Sequence, residues 1–236
     1  MKAYFDKIYQ NGFDAFAAEL EERMTNDVKT FVVTANPETL MIGTETPEFD
    51  KVLKDNRVTI VPDGIGVVKA ANMLKIPVKE RVTGVELVQK LLELLDKQGK
   101  SIYLLGAKKE VVDAFVNNIH EQYPNVIVSG YKDGYIKDKD VAFDEITELK
   151  PDVVLVALGI PAQELLIYKH YDKFEKGIFV GVGGSFDVLS GMKKRAPKIF
   201  IKLNLEWLYR IVCEPKRIKR FYTSNVKFIS KINKMR

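Results

Sequence analysis

Six short runs of aliphatic and β-branched residues, separated by segments with helical spacing, constrain this chain more than any other feature. The runs are residues 30–34 (TFVVT), 58–61 (VTIV), 102–105 (IYLL), 126–128 (VIV), 153–157 (VVLVA) and 178–181 (IFVG). They are nearly continuous in hydrophobicity and bounded by Gly, Pro or Asp, the pattern of strands buried on both faces. Between them, residues 13–24, 84–98, 109–123, 142–149 and 163–173 place apolar side chains on one face of a helix. This alternation predicts an α/β fold with a mostly parallel sheet and helices on both faces. Ligands of such sheets bind at the carboxyl ends of the strands. The loops at 34–39, 62–66, 106–109, 159–164 and 181–187 are therefore the places to look for chemistry.

Charge divides the chain. Residues 193–236 hold 14 Lys and Arg against only Glu206 and Glu214, whereas residues 1–192 hold 23 basic and 30 acidic residues. We therefore expect a catalytic α/β domain over 1–192 and a basic, amphipathic, helical appendage over 193–236. A basic tail on an acidic body points to a polyanionic partner: nucleic acid, anionic lipid or a phosphorylated substrate. The single cysteine, Cys213, excludes a disulfide framework and a cysteine-based metal site. No run of about 18 apolar residues is present to span a bilayer, and the N-terminus lacks a signal-peptide pattern. A cytoplasmic protein, peripheral to any membrane it meets, is the expectation.

Each loop carries side chains with two readings. Gly106 sits at a strand-to-helix turn that suits either a phosphate or plain turn geometry. Gly159, Gln163 and Glu164 open a helix, where the two polar residues either cap it or read a sugar or base. The cluster Gly181, Gly183, Gly184 with Asp187 allows close backbone approach to a diphosphate, or close packing at a strand end. It is not GxGxxG, and no GxxxxGK[ST] exists, which argues against a dinucleotide enzyme and a P-loop NTPase. Asp63 in VPDGIG suits a general base or a turn Asp. Arg81 suits a phosphate fork or an ion pair with Glu80 or Glu86. Asp138 and Asp140 form a DxD in a charged turn, read as solvated rather than metal-binding. His120 and His170 have no ligand spacing.

The segments TANPE, VPDGIGVV, ERVTGVEL, YLLGA, ALGIPAQE, GVGGSFDVLSG, KRAP and LEWLYRIVCEPKR, in this order, resemble the WecG/TagA/CpsF glycosyltransferases of bacterial envelope polymer synthesis. The resemblance runs nearly the whole chain and is nearest to the N-acetylmannosaminyltransferase branch of wall teichoic acid linkage-unit synthesis. It implies a Rossmann-like sheet, an inverting transfer from a UDP-sugar to N-acetylglucosamine on undecaprenyl diphosphate, and no required metal or cofactor. It implies Asp63 as base, and Thr34 and Asn36 as a polar pair in the first loop. Arg81 falls near the donor diphosphate and Gln163 in the loop after the fifth strand, where Ala162 replaces the family's usual lysine. Arg210, Arg217 and Arg220 correspond to arginines of an appendage that meets the membrane and completes the site. An anionic membrane surface is thus an expected partner, nucleic acid is not, and a homo-oligomer stays open. Donors carrying N-acetylmannosaminuronic acid or glucose are the alternatives within the family, and a nucleotide- or nucleic-acid-binding protein is the alternative outside it.

In the tail, Ile218, Phe221, Tyr222, Phe228, Ile229 and Ile232 are expected near one helical face, with Lys219, Arg220, Lys227, Lys231 and Lys234 mostly elsewhere, the pattern of an interfacial helix.

Overall fold

The computed structural model describes residues 1–215 and 217–235, apart from the side chains of Arg217, Lys219 and Arg220. Six strands, β1 (Thr30–Ala35), β2 (Val58–Pro62), β3 (Ser101–Gly106), β4 (Ile127–Lys132), β5 (Val153–Ala157) and β6 (Ile178–Gly181), form one sheet in the order β2-β1-β6-β5-β3-β4. Every pairing is parallel. Around it stand α1 (Lys2–Phe5), α2 (Phe13–Thr25), α3 (Pro37–Glu45), α4 (Pro47–Lys54), α5 (Ile65–Met73), α6 (Gly84–Gln98), α7 (Lys109–Gln122), α8 (Lys139–Leu149), α9 (Ala162–His170) and α10 (Ser185–Leu189). The tail adds α11 (Lys198–Lys202), α12 (Glu206–Cys213) and α13 (Arg217–Met235).

The strands are hydrophobic on both sides because both sides are covered. Alternate residues of the inner strands enter two separate cores: Phe31, Val33, Tyr103 and Val154 join α1, α3, α4, α5, α8, α9 and α13, while Val32, Ile102, Leu104 and Leu155 join α2, α6, α7 and α10. The predicted α/β architecture is therefore present. The fourth strand, expected over 126–128, runs from Ile127 to Lys132 and is an edge strand with exposed Ile127 and Tyr131. Its polar second half gives no hydrophobic run to read.

The connections create a crevice. The chain leaves β1 into α3 on one face of the sheet, and leaves neighbouring β6 into α10 on the other. Divergent exits from adjacent parallel strands open the cleft in which such sheets bind ligands. The start of α6 packs over it: a Cβ on Gly84 would lie 3.1 Å from Ser185 Oγ and 3.9 Å from Thr34 Oγ1. Thr83 caps α6 by accepting from the Glu86 amide at 3.3 Å, and Gly99 ends the helix in the left-handed region.

The tail is part of this body. Phe228 and Ile232 of α13 are 2% and 1% exposed and fill the first core beside Phe5, whose ring lies 6.4 Å from that of Phe228. Ile218, Tyr222 and Ile229 instead face outward, 58%, 69% and 55% exposed. The six apolar residues expected on one face thus divide between two edges of a broad stripe. At 3.6 residues per turn, Phe221, Phe228 and Ile232 lie to one side of Ile218, Tyr222 and Ile229, and packing on α3 and α5 covers one edge only.

Candidate active site

Asp63 stands immediately after β2, its amide donating to the Ala35 carbonyl at 2.8 Å, which fixes it beside the end of β1. Gly64 follows with a φ of 107°, a conformation that favours glycine and turns the chain sharply into α5. Further on, the Val82 amide donates to the Pro62 carbonyl at 2.8 Å. That one bond stations Arg81, eighteen positions downstream, next to Asp63. Residues of the tail complete the group. Arg81 Nη2 donates to the Ile201 carbonyl at 3.2 Å, and Arg81 Nη1 lies 3.5 Å from Glu206 Oε2. Arg210 Nη2 donates to Glu206 Oε1 at 3.0 Å. On the other side, Glu86 accepts from Arg195 Nη2 and from Thr83 Oγ1, each at 2.7 Å.

These charges set the chemistry of Asp63. Burial pushes its carboxyl up to about 6; the Arg210 charge opposes this, Glu206 adds to it, Arg81 opposes it and Glu86 adds to it. A carboxylate so tuned is ionised at neutral pH, yet far more basic than a solvated Asp, as a general base requires.

The other expected residues fall into distinct groups. Thr34 is 8% exposed and donates from Oγ1 to the Gly181 carbonyl at 3.1 Å, bridging β1 and β6 inside the crevice. Asn36 caps α3, its Oδ1 accepting from the Thr39 amide at 3.0 Å, so its position at the cleft mouth is fixed by the helix it starts. Gln163 and Glu164 are 2% and 0% exposed. Gln163 Oε1 accepts from the amides of Gly159 at 3.2 Å and Gly183 at 3.0 Å, while its Nε2 donates to Glu164 at 2.7 Å. Gln163 therefore staples the loop after β5 to the loop after β6. The Gly183 amide is engaged in that staple, whereas Gly184 is exposed. Gly181 is required for the staple, since a Cβ there would come 2.7 Å from Gln163 Nε2. Burial pushes the Glu164 carboxyl up to about 7, and its Oε2 has no hydrogen-bond partner among the described residues. Asp187 faces Lys193 at 3.5 Å, joining α10 to the start of the tail. Ala162 is exposed at the start of α9.

Gly106 ends β3 opposite Ala157 of β5, on the side of the Gly159 loop and four strands from β2 and Asp63, roughly 19 Å at the usual strand spacing. Its lack of a side chain serves packing: a Cβ would sit 2.4 Å from the Ala157 carbonyl oxygen. Arg217 and Arg220 lie on α13 by their backbone, and their side chains are outside the described residues. The DxD is consumed structurally: Asp138 accepts from the Asp140 amide at 2.9 Å, and Asp140 meets Lys169 at 2.7 Å and His170 Nε2 at 2.6 Å. His170, 3% exposed, stacks on Phe143. Glu86 was expected only as a possible partner of Arg81, and Glu206 only as an acid of the tail; neither was expected beside Asp63. Glu206 is one of only two acids in a basic tail, which is the signal that it does something local.

The parallel α/β sheet without a dinucleotide fingerprint thus carries, where β2 ends, a half-buried carboxylate under the influence of two arginines. The chain belongs to the WecG/TagA/CpsF family of glycosyl transferases, whose pattern its residues 5–236 match. It is 39% identical over 207 residues, 87% of this chain and 80% of the relative, to a protein of Bacillus spizizenii (strain ATCC 23059 / NRRL B-14472 / W23) named N-acetylglucosaminyldiphosphoundecaprenol N-acetyl-beta-D-mannosaminyltransferase. Proteins of the same name from Bacillus subtilis (strain 168) and Staphylococcus aureus (strain NCTC 8325 / PS 47) are 41% identical over 189 residues and 40% over 205. They cover 80% and 86% of this chain, and 73% and 80% of their own lengths are matched.

Proposed function

We propose that this protein transfers N-acetylmannosamine, with inversion, from its UDP derivative to the 4-hydroxyl of N-acetylglucosamine on undecaprenyl diphosphate, in wall teichoic acid linkage-unit synthesis. The observation that carries the reading is Asp63, a half-buried carboxylate held at the end of β2 between Arg81 of the body and Arg210 of the tail. In the transfer, Asp63 takes the proton of the acceptor hydroxyl as its oxygen bonds to the sugar C1. The C1–O bond to UDP breaks at the same time, and the electron pair leaves on the diphosphate. Arg210 and Arg81 answer that developing charge, as fixed cations placed at a leaving group do. Thr34, Asn36 and the backbone at Gly159 and Gly184 form the walls of the sugar and nucleotide site in this reading. The test is UDP release from a panel of UDP-sugars with a lipid-diphosphate N-acetylglucosamine acceptor.

The lipid acceptor calls for a membrane contact, and we assign it to the tail. None of the described helices is long and apolar enough to cross a membrane. The tail instead exposes Ile199, Val212, Ile218, Tyr222 and Ile229 among exposed Lys198, Lys202 and Lys227. Apolar anchors with basic neighbours suit an anionic leaflet, at about 1 kcal/mol per basic residue near the surface. On this reading the enzyme works at the inner face of the cell membrane. Replacing Ile218, Tyr222 and Ile229 together by Ser should weaken binding to anionic vesicles at least tenfold and leave the melting temperature unchanged, because all three already face solvent. Sedimentation with vesicles and calorimetry measure the two. Unaltered vesicle binding would remove this surface from the account.

A further inference from the structure

We propose that Glu206 is a positioning residue that seats the C-terminal segment on the body and holds Arg81 and Arg210 in place beside Asp63. Its carboxylate is shared between the two parts of the chain, one oxygen to each. Oε1 accepts from Arg210 of its own helix at 3.0 Å, and Oε2 faces Arg81 of the body at 3.5 Å. Arg81 returns a second contact to the same segment through the Ile201 carbonyl at 3.2 Å. The side chains of Arg81 and Glu206 are only 14% and 10% exposed, whereas most ion pairs among the described residues have at least one well-solvated partner. Arg210 is 49% exposed, so the Arg81–Glu206 contact is the desolvated part of the bridge, and losing one member there leaves the others unbalanced.

The balance matters for the base. The charged groups acting on Asp63 are Arg210 and Glu206 from α12, Arg81 from the loop before α6, and Glu86 from α6. Glu86 is itself engaged by Arg195 and Thr83. Glu206 is thus the anion that occupies both guanidinium groups in the ligand-free protein. Without it, two cations lose their partner beside a carboxylate and turn toward Asp63. The base becomes weaker and the arginines are withdrawn from the space a diphosphate needs.

The inference rests on Asp63 being the base, and the test separates the two ideas. Glu206→Gln keeps the shape and removes the charge. The acid limb of its kcat/KM profile should move to lower pH by about one unit, as expected when an opposing cation gains on a carboxylate, and kcat should fall about tenfold. Arg210→Gln should move the same limb to higher pH, so the comparison survives if one variant folds poorly. A purely structural Glu206 would lower the melting temperature with the limb in place. A profile for Glu206→Gln that superimposes on the wild type, or moves upward, overturns the proposal. If Asp63→Asn retains activity, the base assignment fails instead, whatever Glu206 does.

Discussion

Asp63→Asn should yield a folded protein whose turnover is about 10²- to 10⁴-fold lower than wild type, the usual worth of a positioned general base. Its pH behaviour follows from the raised carboxyl. With Asp63 as the base, the wild-type kcat/KM should fall tenfold per unit below about 6, because the protonated Asp63 accepts nothing. The stability effect has the opposite sign to that of a paired carboxylate. The folded protein holds this proton more tightly than the unfolded chain does, so the favourable contribution is present below the ordinary value of 3.8 and is lost as pH rises through about 6. The Asn variant should therefore be at least as stable as the wild type at pH 7 to 8. Initial rates of UDP release and calorimetry across pH check both parts. A near-wild-type rate in Asp63→Asn would show that another group takes the proton.

Ending the chain at Ala196 should abolish transfer to the lipid acceptor and also destabilise the protein. The missing segment carries Glu206 and Arg210, so the charges around Asp63 lose half their members. It also carries Phe228 and Ile232, whose burial contributes roughly 1.5–3 kcal/mol each. At about 2–4 °C per kcal/mol for a chain of this size, the melting temperature should drop by roughly 10 °C. Phe228→Ala separates the effects: stability falls while the charged cluster and most turnover persist. A truncated protein that still turns over the lipid acceptor would exclude the tail from the site.

Much of this was legible in the sequence for one physical reason. Parallel strands covered on both faces must be apolar throughout, so β1, β2, β3, β5 and β6 announce themselves, and the strand ends then point to Asp63, Thr34 and Gly181. The helices between β1 and β2 were less visible because α3 and α4 are short and follow one another directly, although Asn36–Pro37 and Thr46–Pro47 are helix-start signals. What sequence could not supply was the long-range pairing. Whether Arg81 meets Glu80, Glu86 or a group 125 residues away depends on how the tail folds back, and it meets Glu206. Gln163 gave an equal choice between cap and reader, and the structure spends its side chain on two loops and Glu164. The apolar stripe of α13 was readable, but which edge would be buried depended on where α3 and α5 lie.

The most direct measurement offers the full-length protein UDP-N-acetylmannosamine, UDP-N-acetylmannosaminuronic acid, UDP-glucose and UDP-N-acetylglucosamine in turn, with a lipid-diphosphate N-acetylglucosamine acceptor, and follows both UDP and the lipid product. Acceptor-dependent UDP release with UDP-N-acetylmannosamine, giving an inverted 1,4-linked disaccharide lipid, is the predicted result. Preference for another donor, or UDP release that ignores the acceptor, would contradict it.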